Sequence, residues 1–145
     1  GMSNGVGQMV TNVTRMAKPG EVDVLRLWSH GSSGGQGVST GFPDARFSVR
    51  GQRAGISQSS LPDISTDIKR LAPYFSKRGR LELRGCSVGV GDDGPRLLRA
   101  LAELVGTDVY AALNAQPIGP IQWAGPVVRM RPDGSSTTGS GLDIR

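Results

Sequence analysis

The sequence predicts an α/β domain, a three-layer sandwich built on a mostly parallel sheet. Three observations carry that expectation. Strand-like runs at 22–29, 81–85 and 107–113 alternate with amphipathic helical runs at 61–72 and from about residue 95 to Gly106. The run VDVLRLWS at 22–29 is nearly continuous in Val, Leu and Trp, which suits a strand buried on both faces. The length of 145 residues, 37% hydrophobic and 20% charged, fits one domain able to bury a core. Residues 1–7 read as a tag remnant and flexible start, because Gly1-Met2-Ser3 looks like a scar followed by a start methionine. Residues 8–134 read as the single domain and 135–145 as a flexible or edge tail.

Each element has a local cause. Met9, Val13, Met16 and Ala17 share one face of a helix over 8–17, which Pro19-Gly20 stops. The stretch 31–59 holds seven glycines and no helical period. A small hairpin is expected in Val38–Val49, with Phe42 and Phe47 flanking Pro43-Asp44. It reads either as a substrate-binding flap or as a tolerated insertion. Leu61, Ile64, Ile68, Leu71 and Ala72 mark the next helix, with Ser60 and Asp63 as a capping pair and Pro73 as its end. In LELRG at 81–85, Leu81 and Leu83 alternate with Glu82 and Arg84. Asp92 or Asp93 caps the following helix, whose stripe is Leu97, Leu98, Leu101, Leu104 and Val105, and Gly106 terminates it. Beyond the strand TDVYAAL, Ile121–Ala124 and Val127–Arg131 are expected to pair as a hairpin across Gly125-Pro126. The Asp133-Gly134 turn follows, then a Ser/Thr/Gly run at 135–141.

Composition excludes several functions. No run approaches the length of a membrane span. One cysteine forbids an internal disulfide, and one histidine beside it forbids a two-Cys, two-His or three-His zinc site, so no metal and no cofactor is expected. The net charge of +5 comes from 14 Arg and three Lys against 12 acidic residues. The basic residues are scattered apart from Lys77-Arg78-Gly79-Arg80. That disfavours a nucleic-acid partner but leaves steering of an acidic partner open. The glycine-rich run at 32–37 lacks the GKS/T ending of a phosphate loop, and in GVGDDG at 89–94 two aspartates would repel a pyrophosphate. No apolar leader follows Met2, so both a cytoplasmic location and a place in a secreted or surface protein stay open.

The chemistry-bearing residues are few. His30 follows the first strand and Cys86 follows the strand 81–85, both at carboxyl ends. Open α/β sheets bind ligands at that edge. If the two strands are parallel neighbours they lie about 5 Å apart and their terminal side chains can meet. An imidazole beside a thiol can take its proton, which makes His30 and Cys86 a candidate catalytic dyad. Gly31 and Gly85 allow close backbone approach, and the amides of Gly31 and Cys86 are candidate oxyanion donors. Asp92, Asp93, Asn114 and Gln116 are candidates for a substrate pocket at the same edge. Asp92 and Asp93 read first as helix caps. A lone cysteine also reads as a small buried hydrophobe.

The runs LRLWSHGSSGG at 25–35 and LELRGCSVGVGDDGPRLLRALAELVGTDVYAA at 81–112 resemble bacterial caspase-like domains of the clan CD cysteine peptidase fold. Within these, they are similar to the DUF4347-like group found in large bacterial surface or secreted proteins. His30 stands 56 residues before Cys86, and caspases use about 50. The resemblance implies a caspase-like sheet, His30 as base and Cys86 as nucleophile. It also implies hydrolysis of peptide bonds through a thioester, processing of the domain's own chain included. The segment Arg84-Gly85-Cys86-Ser87-Val88 departs from the Q-A-C-x-G signature, so specificity for Asp is not implied. The expected partner is a peptide or protein substrate. The competing expectation is a non-catalytic protein-binding or structural module of a larger bacterial protein.

Overall fold

A computed structural model describes residues 5–38 and 53–141. The elements run α1 (Gly5–Met16), β1 (Val22–Leu27), β2 (Gly31–Ser32), β3 (Gly35–Gly37), β4 (Gly55–Ser57) and α2 (Leu61–Lys69). A 3-10 turn (Ala72–Tyr74) leads into β5 (Phe75–Leu83), α3 (Asp93–Val105), β6 (Asp108–Ala112), β7 (Pro126–Met130) and β8 (Ser136–Ser140). The main sheet has the order β1-β5-β6-β7-β8, and a small second sheet has the order β2-β3-β4.

The strands β1, β5 and β6 are parallel, with Leu27 opposite Leu83 and Leu83 opposite Ala111. From β6 onward the pairing is antiparallel, Ala112 opposite Val127 and Val127 opposite Gly139. The sheet is therefore half parallel, which corrects the expected mostly parallel, caspase-like sheet. The cause lies in the connection after β6. A parallel neighbour needs a long crossover, usually helical. Residues 113–125 instead carry Pro117, Gly119, Pro120 and Gly125, so no helix forms and the chain returns beside β6. For the same reason Ile121–Ala124 does not pair with Val127–Arg131. Its place beside β7 is taken by β6 on one side and β8 on the other. The Ser/Thr/Gly run becomes the edge strand β8 through the turn at Asp133-Gly134. There Asp133 accepts from the Ser135 amide at 2.8 Å, and Gly134 takes φ 87°.

The three-layer expectation is also corrected. All three helices contribute to one core, with α2 touching both α1 and α3. That core holds Val6, Met9, Val10, Ile64, Ile68, Leu97, Leu98 and Leu101 from the helices. The sheet supplies Leu81, Leu83, Val109, Ala111 and Met130. Because strand side chains alternate between faces, the opposite face receives Arg26, Arg80, Glu82, Arg84, Tyr110 and Arg129. Among the described residues no helix covers these, and a small cluster of Tyr110, Val127 and Trp123 packs there. The alternation in LELRG already marked this two-faced pattern. The near-continuous apolarity of 22–29 concealed it, because Trp28 and Arg26 share the helix-free side.

Local boundaries shift where packing overrides periodicity. Helix α1 starts at Gly5 because Val6 is fully buried and its amide donates to the Arg53 carbonyl at 2.8 Å. Strand β5 starts at Phe75, six residues before the apolar run. The stretch after His30 is not plain loop, since it supplies β2, β3 and β4. The expected hairpin at Val38–Val49 lies, from residue 39 on, outside the described residues. No helix among the described residues is long and apolar enough to cross a membrane.

Candidate functional site

The site is built where β1 and β5 end side by side. The Arg84 amide donates to the Leu27 carbonyl at 2.9 Å, which extends the ladder one residue past both strands. The chain segments 28–31 and 84–86 therefore emerge together. They touch through glycine. A Cβ on Gly85 would lie 2.7 Å from Gly31 Cα, and one on Gly31 would lie 2.8 Å from the Cys86 amide nitrogen. No other residue fits either position without moving backbone. This crossing brings His30-Gly31 beside Gly85-Cys86.

A buried side chain absent from the expectations locks the crossing. Gln36, 1% exposed, accepts from the Gly85 amide at 2.7 Å through Oε1 and donates to the Gly37 carbonyl at 2.8 Å through Nε2. It thereby pins β3 to the end of β5. The next turn docks as well. The Ser33 hydroxyl donates to the Val90 carbonyl at 2.6 Å, and the Gly34 amide donates to the Val88 carbonyl at 3.0 Å. The signal in the sequence was slight: one long polar side chain inside SSGGQG.

Cys86 is partly buried, and among the described residues its sulfur partners are both backbone atoms of Gln116. Sγ accepts from the Gln116 amide at 3.3 Å, and the thiol reaches the Gln116 carbonyl at 3.7 Å. His30 is exposed, its carbonyl accepts from the Gly37 amide at 2.8 Å, and its imidazole makes no hydrogen bond to a described residue. Ser87 follows the thiol with φ 55°, a left-handed conformation unusual for serine. That turn sends the Ser87 amide to the Asn114 carbonyl at 2.9 Å and the Gly89 amide to the Ala112 carbonyl at 3.0 Å.

The four pocket candidates divide. Gln116 and Asn114 lie at the β6 end, near Cys86. The Gln116 side chain, however, closes its own loop: Nε2 donates to the Ala124 carbonyl at 2.7 Å, and Oε1 accepts from the Ala124 amide at 3.0 Å. The Asn114 side chain packs on Gly125. Asp92 and Asp93 are exposed at the start of α3. Asp92 is the cap residue without a side-chain cap bond, and Asp93 lies in the first turn against Gly34. They suit the positive end of the helix. Among the described residues no group of three His, Cys, Asp or Glu side chains could hold a metal.

A second constellation adjoins the thiol on the helix-free side. Arg84, nearly fully buried, stacks between two tryptophans, 3.7 Å from the Trp123 ring centre and 5.1 Å from that of Trp28. Its Nε donates to Glu82 at 2.8 Å and its Nη2 to the Ile121 carbonyl at 2.5 Å. Burial pulls this guanidinium below the ordinary arginine value. Glu82 opposes the shift, and repulsion from Arg26 and Arg80 adds to it. Two tryptophans at strand and loop ends, and an arginine between Leu83 and Gly85, were its traces in the sequence.

Comparison with known proteins places the site in a family without assigning it chemistry. No curated protein and no solved structure matches the chain. A family model does match residues 2–125, which include both strand ends, the glycine crossing, Cys86 and the loop to Trp123, and stop just before β7. The chain therefore belongs to the family described as a domain of unknown function, DUF4347.

Proposed function

We propose that this domain is a non-catalytic protein-binding or structural module of a larger protein, with the helix-free face of its main sheet as the recognition surface. The observation that carries the reading is that no described helix packs on this face, where Arg84 lies caged between Trp28 and Trp123 and where Trp28 and Ile121 stay exposed. Aromatic and arginine side chains are the residue types most enriched at protein interfaces. The thiol's engagement with the Gln116 backbone, rather than with His30, points the same way. Selection from a displayed peptide library tests it. Selected peptides are expected to bind the parent and Cys86→Ala alike and to lose affinity for Trp28→Ser. A selection that yields no binder against the folded domain refutes the reading.

A second reading rests on the glycine crossing, which sets His30 and Cys86 at adjacent strand ends. In it, His30 accepts the thiol proton, the Cys86 sulfur attacks a peptide carbonyl, the C–N bond breaks as His30 gives that proton to the leaving amine, and water then hydrolyses the thioester to release the acid and restore the thiol. Peptide cleavage that disappears in both Cys86→Ala and His30→Ala, with the fold intact, supports this reading. Equal alkylation of Cys86 by iodoacetamide at neutral pH in the parent and in His30→Ala, with no cleavage, removes it.

A further inference from the structure

The helix-free face carries an excess of positive charge arranged around a single carboxylate. Glu82, 1% exposed, accepts from Arg26 Nε at 2.8 Å, from Arg84 Nε at 2.8 Å and from Arg80 Nε at 2.9 Å. Three guanidiniums thus share one negative charge. The neighbouring Arg129–Asp108 pair is balanced and compensates none of the excess. Arg84 is enclosed, but the Arg26 and Arg80 side chains are 30% and 33% exposed. Each is held by Nε alone, so the outer N–H groups of both donate to no described residue, while the Arg80 guanidinium also lies 5.7 Å from the Tyr110 ring centre. A guanidinium carries five N–H donors and pairs bidentately with carboxylates.

Geometry narrows the ligand. Arg80 lies opposite Val24 and Glu82 opposite Arg26, so the two exposed arginines sit diagonally across neighbouring strands. Such diagonal neighbours are about 7–8 Å apart. In an extended chain, alternate side chains project on one side about 6.6 Å apart. Trp28, 37% exposed and two residues past Arg26, and Ile121, 66% exposed with its carbonyl on Arg84, give an apolar rim at the strand-end side of this cluster. A single-stranded nucleic acid would need open aromatic faces for its bases. Here the Arg84 guanidinium fills the space between the two rings.

We propose that Arg26 and Arg80 bind an extended acidic segment of a partner protein, whose alternate carboxylates meet the two guanidinium forks while its apolar residues rest on Trp28 and Ile121. This rests on the protein-binding reading and names the partner's chemistry. The two tryptophans of the chain both flank Arg84, so their fluorescence reports the site directly. The titrants are an alternating Glu-Thr peptide, a Gln-Thr peptide of equal length and an oligothymidylate. The Glu-Thr peptide is expected to shift the emission, to weaken with added salt and to lose about tenfold in affinity in Arg26→Gln and in Arg80→Gln. Arg26→Lys, which keeps the charge without the fork, is expected to fall between. Arg70→Gln, at the C-cap of α2, is expected to bind like the parent. Equal binding of the Gln-Thr peptide overturns the acidic ligand and leaves a protein-binding surface standing. Tighter binding of the oligothymidylate overturns the protein partner itself. No emission change with either peptide, in a domain shown to be folded by circular dichroism, overturns the proposal.

Discussion

Replacing Gly85 by alanine tests whether the glycine crossing is the structural keystone of the site. The new Cβ would lie 2.7 Å from Gly31 Cα, 2.8 Å from Gln36 Oε1 and 3.0 Å from Gly31 N. Two of the three obstacles are backbone, and the third is a side-chain oxygen already fixed by the Gly85 amide. The clash cannot be relieved by a rotamer change. Overpacking of this kind costs about 3 kcal/mol, and the lower entropy of the unfolded alanine chain returns about 1 kcal/mol. The net loss is about 2 kcal/mol. With an unfolding entropy of about 2.1 cal/mol/K per residue over 145 residues, that lowers Tm by about 7 °C. Scanning calorimetry on Gly85→Ala, Gly31→Ala and the double variant measures it. The double variant should cost less than the sum, since both methyl groups separate the same two backbones. Gly139→Ala is the control, because nothing lies within 4 Å of its added Cβ. A Tm for Gly85→Ala equal to that of Gly139→Ala would refute the crossing as an obligatory contact.

Three more predictions follow from buried polar groups. Gln36→Leu leaves the Gly85 amide without its acceptor, which costs about 1–3 kcal/mol; faster hydrogen exchange at Gly85 with a lowered Tm is the expected result. Glu82→Gln removes the charge that three guanidiniums share and is expected to cost about 3 kcal/mol or more by urea denaturation, partly restored by added salt. Burial raises the Tyr110 hydroxyl above the ordinary tyrosine value, with Arg129 opposing. A folded-state value above the unfolded one stabilises the domain fully below the unfolded value of about 10, and that contribution fades as pH rises through the folded value. Denaturation midpoints should therefore fall more steeply with rising alkaline pH in the parent than in Tyr110→Phe.

What the sequence by itself determined was local. The stripes Ile64–Ile68 and Leu97–Leu101 marked two helices, and Gly106, at φ 65°, marked the end of the second. The strand ends before His30 and Cys86 could be read because apolar runs stop there at glycine or polar residues, while the adjacency of the two strands stayed conditional until the sheet order set β1 beside β5. Tertiary structure decided the rest. Whether β7 lies parallel or antiparallel depends on whether residues 113–125 can cross over, and the side-chain amide of Gln116 that closes this loop acts only once Ala124 is beside it. Which face the helices cover depends on where Leu81 and Leu83 point relative to Glu82, a choice that period-two alternation permits but does not orient. The arginine cluster joins residues from two strands, and the aromatic cage adds a loop tryptophan, so neither has a linear signature. Local periodicity is encoded within a few residues. Charge neighbourhoods such as that of Arg26, Arg80, Glu82 and Arg84 exist only when strands distant in the chain are brought about 5 Å apart.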